Sequence, residues 1–309
     1  MPPRRGKRGL ACIDGNMNKT ALVTGGTDGI GKEIAIGLAQ AGCQVLIVGL
    51  DAEKGVRVES DVRERTWNPH VHFLRADLGL VRDTRRLASD VAHRCATLSY
   101  LVHSAGVVRG RRELTAEGIE SNFAINYLSR FVLTVDLLPL LARTSTLASR
   151  SRILMISGAA RGGRIHFDDV NLTRHFGTLR AVMQFCQAND LFTVELASRL
   201  TQGGAPDVTI NCLKVGVVKT NIRRGFPVWM KWFVPLVLDP ILSLSTHDVA
   251  AAALRLLADS ACQQDSGALF QFITRFKRIS VPKGVQDAGA RSRLWMLSEQ
   301  LAAAAVTGA

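Results

Sequence analysis

The densest chemistry in the sequence is the string Thr24-Gly25-Gly26-Thr27-Asp28-Gly29-Ile30-Gly31. Glycines at this spacing let a backbone turn tightly and approach a phosphate. A helix opening on the last of them offers unpaired N–H groups and the positive end of its dipole to an anion. A glycine string is informative only in context, with a strand before it and a helix after it. Other residue types are informative by their scarcity. Only two tyrosines occur, Tyr100 and Tyr127, and neither has a lysine four residues on. The six cysteines (Cys12, Cys43, Cys95, Cys186, Cys212 and Cys262) form no Cys-x-x-Cys pair and no cluster with histidine, so no metal site is expected.

The elements that must position these residues can be read from hydrophobic period. Short β-branched runs at Ala21–Thr24, Val45–Val48, Val71–Leu74, Tyr100–His103, Ile153–Ile156, Val208–Cys212 and Ala268–Phe272 alternate with helical segments. The first of those helices carries Ile30, Ile34 and Leu38 at four-residue spacing, one buried face. Strands alternating with such helices predict right-handed βαβ units and a single α/β fold of the Rossmann type. In that fold a doubly wound parallel sheet has helices on both faces. Ligands of such sheets bind beyond the carboxyl ends of the strands.

A chain of 309 residues with 47% apolar composition can bury one large core, and no linker, repeat or low-complexity tract divides it. The expected organisation is a basic, disordered extension over residues 1–17 and one nucleotide-binding domain over 18–309. Whether translation starts at Met1 or Met17 is left open. The net charge of +13 is read as a solvated basic face, because no aromatic stripe accompanies it, and no nucleic-acid partner is expected. The first sixteen residues lack the apolar stretch of a secretory signal. The apolar run Phe226 to Leu244 is broken by Lys231, Pro235, Asp239 and Pro240, which argues against a transmembrane helix. Cysteines in apolar runs suit a reducing, cytoplasmic setting.

With these motifs in order, the chain closely resembles the short-chain dehydrogenase/reductase family and, within it, the retinol-dehydrogenase-like branch. Thr24, Gly25, Gly29 and Gly31 meet the family's Thr-Gly-x-x-x-Gly-x-Gly in full. Asp77-Leu78 matches its adenine-contacting pair, and His103-Ser104-Ala105-Gly106 its Asn-Asn-Ala-Gly. Asn126 matches its active-site asparagine. Ala188-Asn189-Asp190-Leu191-Phe192-Thr193, Val217-Val218-Lys219-Thr220 and Arg293-Leu294-Trp295-Met296-Leu297-Ser298 continue the likeness almost to the last residue. The resemblance implies an NAD(P)-binding oxidoreductase. Its cofactor-binding residues would be Thr24, Gly25, Gly29, Ile30, Gly31, Asp77, Leu78, Ala105, Gly106 and Thr220.

The departures from that pattern fall on the chemistry. Counting back from Ala188-Asn189, the family's catalytic Tyr position holds Val182 and its Lys position Cys186. After the fifth strand, Ser-Ser becomes Ser157-Gly158, so the catalytic Ser is Gly158 unless the register slips by one residue. The usual Pro-Gly after the sixth strand is Val215-Gly216. Val182 has no proton to give, and Cys186 has neither the length nor the charge of lysine. Candidates for a substitute proton donor are Lys214, where relatives often have His, and His103; the plain alternatives are a surface lysine and a structural histidine. Cys186 would be a nucleophile only in an electropositive pocket that lowered its pKa. Asn126 is retained, its implied role being helix geometry and a relay water.

Neither nucleotide discriminator is present. The Asp that would hold an NAD ribose aligns with Gly49 and the Arg for an NADP phosphate with Leu50, while Asp51 lies one residue further on. The preference between NAD and NADP is therefore undetermined. A lid is expected at about residues 222–245, where Phe226, Trp229, Trp232 and Phe233 imply a bulky apolar ligand. Peripheral membrane contact and packing of a partner subunit compete for the same residues. Three functions follow: an atypical oxidoreductase as the nominal assignment, a non-redox cyclase or isomerase, and a non-catalytic nucleotide-binding pseudoenzyme. The last would support a homologous subunit in a homo- or hetero-dimer through a helix pair.

Overall fold

The structure, a computed structural model, describes residues 19–146, 149–160, 162–203, 205, 207–216, 244–258 and 265–307. All seven strands expected from the sequence form: β1 (Thr20–Thr24), β2 (Gln44–Gly49), β3 (Val71–Arg75), β4 (Tyr100–His103), β5 (Ser151–Gly158), β6 (Val208–Val215) and β7 (Ala268–Phe272). They lie in the order β3-β2-β1-β4-β5-β6-β7 and pair in parallel. An eighth strand, β8 (Phe276–Ile279), adds antiparallel to β7 and was not legible in the sequence. It is an edge strand whose Lys277 and Arg278 are exposed, so it lacks the continuous apolar run that marks a central strand. Phe276 anchors it by stacking on Phe270, ring centres 5.5 Å apart.

Alternating strand residues feed two cores. Ala21, Val23, Val102 and Leu154 pack with helices α1 (Gly29–Gln40), α2 (Ala52–Thr66) and α6 (Thr246–Ala258). Leu22, Leu101, Ile153 and Met155 pack with α3 (Val81–Arg94), α4 and α5 (Thr178–Gln202). Helix α4 has three parts: a short α turn (Ser121–Phe123), a π-helical turn (Ala124–Leu128) and an α-helical body (Ser129–Thr144). By length and composition Ser121–Arg143 could cross a membrane, but 72% of its most apolar window is buried in the fold, as suits a central helix of a two-faced sheet.

Strand order reverses at β1, whose neighbours are β2 on one side and β4 on the other. The diverging connections open a crevice at the carboxyl ends of β1 and β4, the place where doubly wound sheets bind their ligands.

A short helix, α7 (Lys283–Gln286), leads into α8 (Ala288–Thr307), which lies over α5 and reaches α3. Trp295 is its anchor, with ring centres 5.0 Å from Phe131 and 6.0 Å from Phe192. The Arg199 guanidinium sits 4.0 Å above the indole. Tyr127 and Ser298 share a buried hydrogen bond of 2.7 Å, and Arg291 pairs with Glu195 at 3.2 Å. Helix α8 thus packs against α4 and α5 through these contacts. Trp295→Ala is expected to cost about 3 kcal/mol or more through lost burial and the cavity left behind. Urea denaturation followed by far-UV circular dichroism would measure it.

Candidate dinucleotide and catalytic site

Strand β1 ends at Thr24, whose buried hydroxyl accepts hydrogen bonds from the Ser104 N–H (3.2 Å) and the Ala105 N–H (3.3 Å). This stitches the ends of β1 and β4 together at the crevice. Gly25 has φ +68°, and a Cβ there would stand 2.7 Å from the Ala105 Cα; at Gly31 it would stand 2.4 Å from the Gly25 carbonyl oxygen. No side chain fits at either position, so the loop lies flat on the strand ends. Thr27, Asp28, Gly29 and Ile30 stay partly accessible at the first turn of α1. A tight glycine-walled turn leading into a helix N-terminus at a strand end fits the pyrophosphate of a dinucleotide.

The remaining cofactor-side residues ring the same crevice. Asp77, beyond β3, accepts from Gly79 N at 2.8 Å, and its own N–H donates to Asp83 at 3.0 Å, so its turn is held from both sides. Leu78, Ala105 and Gly106 are partly accessible. Asn126 lies in the π-helical turn: its Oδ1 accepts from Val107 N at 3.1 Å, and its Nδ2 donates to the carbonyls of Val107 and Asn122, both at 2.8 Å. Its own carbonyl accepts from Asn189 Nδ2 at 3.0 Å. Asn126 therefore fastens the loop after β4 to α5 and keeps no side-chain polar group for a substrate. Thr220 and nearly all of the lid expected at 222–245 lie outside the described residues.

On the catalytic side, Val182 and Cys186 occupy the face of α5 that looks toward β5. A Cβ at Gly158 would stand 3.1 Å from the Cys186 Sγ, so the strand end and the helix meet at the positions where the family's Ser and Lys would stand. Ser157 is buried, with its hydroxyl beside the Cys186 thiol. Cys186 is buried, and desolvation raises its thiol pKa although Ser157 and Lys214 pull the other way; it is a packed thiol, not a nucleophile.

The two donor candidates named from the sequence are both committed inside the protein. Lys214, the register partner of Ser157 on β6, forms a hydrogen-bonded ion pair with Asp190 on α5, and each side chain is only 3% exposed. The Lys214 ammonium is thus engaged by a buried carboxylate. His103 is buried at the end of β4, where its Nε2 shares a 2.8 Å hydrogen bond with the Thr134 hydroxyl of α4. Burial, aided by the Arg130 charge, holds its pKa well below the usual histidine range, so the ring is neutral. His103 is a structural histidine and Lys214 is not a surface residue. Asp51, one residue beyond the two discriminator positions, caps α2 by accepting from Lys54 N at 3.0 Å.

Two residues of the site passed unnoticed in the sequence. Asp190 sits inside a segment that matches the family, and only its acidity on an otherwise buried helix face hints at a partner. Arg130 lies in an apolar helix, where its buried guanidinium donates to the carbonyls of Ala105 (2.7 Å) and Ile156 (2.8 Å), knitting the ends of β4 and β5. Among the described residues no cluster of His, Cys, Asp and Glu could hold a metal ion.

The profile of the short chain dehydrogenase family matches residues 19–167. Human retinol dehydrogenase 13 is 34% identical over 288 residues, 92% of this chain and 84% of that protein. Human polyprenol dehydrogenase is 33% identical over 208 residues, 67% of this chain and 63% of that protein. Among solved structures, an uncharacterized Mycobacterium paratuberculosis protein superposes with a TM-score of 0.72 at 26% identity, covering 92% of this chain and 93% of its own. The Pseudomonas aeruginosa RhlG/NADP active-site complex shares the fold, with a TM-score of 0.66 at 24% identity over 82% of this chain and 94% of its own.

Lys214→Met leaves the Asp190 carboxylate buried and alone, an expected loss of about 3 kcal/mol or more, and adding Asp190→Leu should restore most of it. Guanidinium denaturation of the single and double variants checks both. His103 gives a pH signature. Below the ordinary histidine pKa the unfolded chain binds a proton that the folded chain refuses. Stability is therefore full above about pH 6.5 and falls as pH drops, by at most about 1.4 kcal/mol per unit. His103→Asn should flatten that part of the slope between pH 7 and 5, in a series of denaturation curves against wild type.

Proposed function

Because this chain belongs to the short-chain dehydrogenase/reductase family, we propose that it binds NAD or NADP at the Gly25–Gly31 crevice and acts as an atypical oxidoreductase. Its substrate is a bulky apolar alcohol or carbonyl compound. One observation carries the reading. The glycine turn at the ends of β1 and β4 fits a pyrophosphate, while Val182, Cys186 and Gly158 stand at the positions where the resemblance places the family's proton donor and its helpers. The bound dinucleotide supplies or takes up hydride.

The chain's own residues then do three things. Thr24 and the glycines hold the pyrophosphate turn rigid. Arg130 and Asn126 fix the strand ends and the loop that flank the crevice. Val182 presents an apolar side chain at the reacting end and Cys186 packs behind it, and neither delivers a proton. The proton for the substrate oxygen comes from solvent or from the substrate itself, because Lys214 and His103 are held inside. A positioned general acid contributes about 10²–10⁴ in rate, so turnover is slow by that margin. The apolar character of the substrate is supported by Phe226, Trp229, Trp232 and Phe233 in the lid sequence, and by relatives named for retinol and polyprenol.

A second reading, a nucleotide-binding chain without turnover, is favoured by the burial of Ser157 and of the Lys214–Asp190 pair. A cytoplasmic placement is supported by Cys43, Cys95, Cys186 and Cys212, all free and buried.

Fluorescence titration of NADH and NADPH, followed by single-turnover hydride transfer to a panel of apolar aldehydes and ketones, tests the assignment. Binding with slow transfer supports oxidoreduction, whereas binding with no transfer moves the protein to the second reading. Restoring the centre in one variant, Val182→Tyr with Cys186→Lys and Gly158→Ser, should raise the transfer rate by about 10² or more. Gly158→Ser alone should not, because its Cβ would press on the Cys186 sulfur.

A further inference from the structure

The end of β2, where a dinucleotide fold discriminates a ribose 2′-hydroxyl from a 2′-phosphate, has no acidic residue turned toward the crevice. Gly49 is followed by Leu50, and the Asp51 carboxylate caps α2. A different carboxylate reaches this place. Asp28 is the N-cap of α1, its Oδ1 accepting from Gly29 N at 2.8 Å. Its Oδ2 accepts from Lys54 Nζ at 2.6 Å, across the gap to the first turn of α2. The preceding Thr27 lies directly against the strand end, where a Cβ on Gly49 would stand 2.7 Å from the Thr27 Cγ2. The side chains of Lys54 and Asp28 remain 37% and 45% exposed, so a ligand can reach the pair from solvent. The other nearby cation, Arg75, directs its Nε to the Leu50 carbonyl at 3.2 Å.

We propose that the Asp28–Lys54 pair selects NAD(H) over NADP(H), an inference that rests on the dinucleotide-binding reading above. A 2′-hydroxyl is neutral and can donate to the Asp28 carboxylate without disturbing the pair. A 2′-phosphate brings a second anion beside that carboxylate, and the cation it needs, Lys54, is already held by Asp28. Repulsion between partly exposed charges is screened by salt, so the discrimination weakens as ionic strength rises.

Kd values for NADH and NADPH from calorimetry on the full chain, at low and at high salt, test this. Wild type should prefer NADH about tenfold, and the gap should narrow in high salt. Asp28→Asn keeps an oxygen for the Gly29 N–H and frees Lys54. It should tighten NADPH about tenfold with little change for NADH. Adding Lys54→Ala should remove that gain. Equal or tighter NADPH binding by wild type, or a preference unmoved by Asp28→Asn in a variant of wild-type circular dichroism, overturns the proposal. Failure of wild type to bind either nucleotide overturns the dinucleotide reading and this inference together.

Discussion

The space between Gly25 and Ala105 is too small for any side chain, and much of the site follows from that contact. The backbone of the glycine loop rests on the backbone that leaves β4, and the Thr24 hydroxyl ties the same two strand ends through the N–H groups of Ser104 and Ala105. Two connections that diverge to opposite faces of the sheet are thereby held together at their origin. The opening between them is the crevice. Arg130 extends the stitching to β5 through the carbonyls of Ala105 and Ile156, and Asn126 fastens the loop after β4 to the π-helical turn. The nucleotide seat results from backbone contacts and a few buried polar side chains.

The neighbouring catalytic half has been absorbed into the core. Here α5 sets the buried Cys186 thiol against the end of β5, where Gly158 leaves room for the sulfur. Charge has not left the region; it has moved inward. Lys214 and Asp190 pair between β6 and α5, and Arg130 donates to the carbonyls of Ala105 and Ile156. His103 is kept neutral by burial and by the Arg130 charge. Desolvated charges of this kind need their partners, because either ion left alone would destabilise the fold more than the pair stabilises it. The same arrangement that makes these groups structural withdraws them from acid–base work.

The C-terminal helix closes the other side of the α4–α5 layer. Trp295 packs against Phe131 of α4 and Phe192 of α5, and Arg199 closes over it.

The sequence by itself determined the seven parallel strands, the glycine loop between strand and helix, and the family. These depend on local period, on turn chemistry and on fixed spacing along the chain. It also assigned Val182 and Cys186 to the positions where the resemblance expects a tyrosine and a lysine, because Ala188-Asn189 counts the helix register without reference to anything distant. Only the tertiary structure decided what Lys214, His103, Asp28 and Arg130 do. Each is a polar group whose partner lies at least 24 residues away, on another element, and the partner decides whether it is a donor, a fastener or a filter. Strand β8 was hidden for a related reason: an edge strand buries too little for its pattern to stand out until β7 supplies the pairing. Spacing along a chain reports which residues are present, whereas burial and partnership in three dimensions report which of them are still free to react.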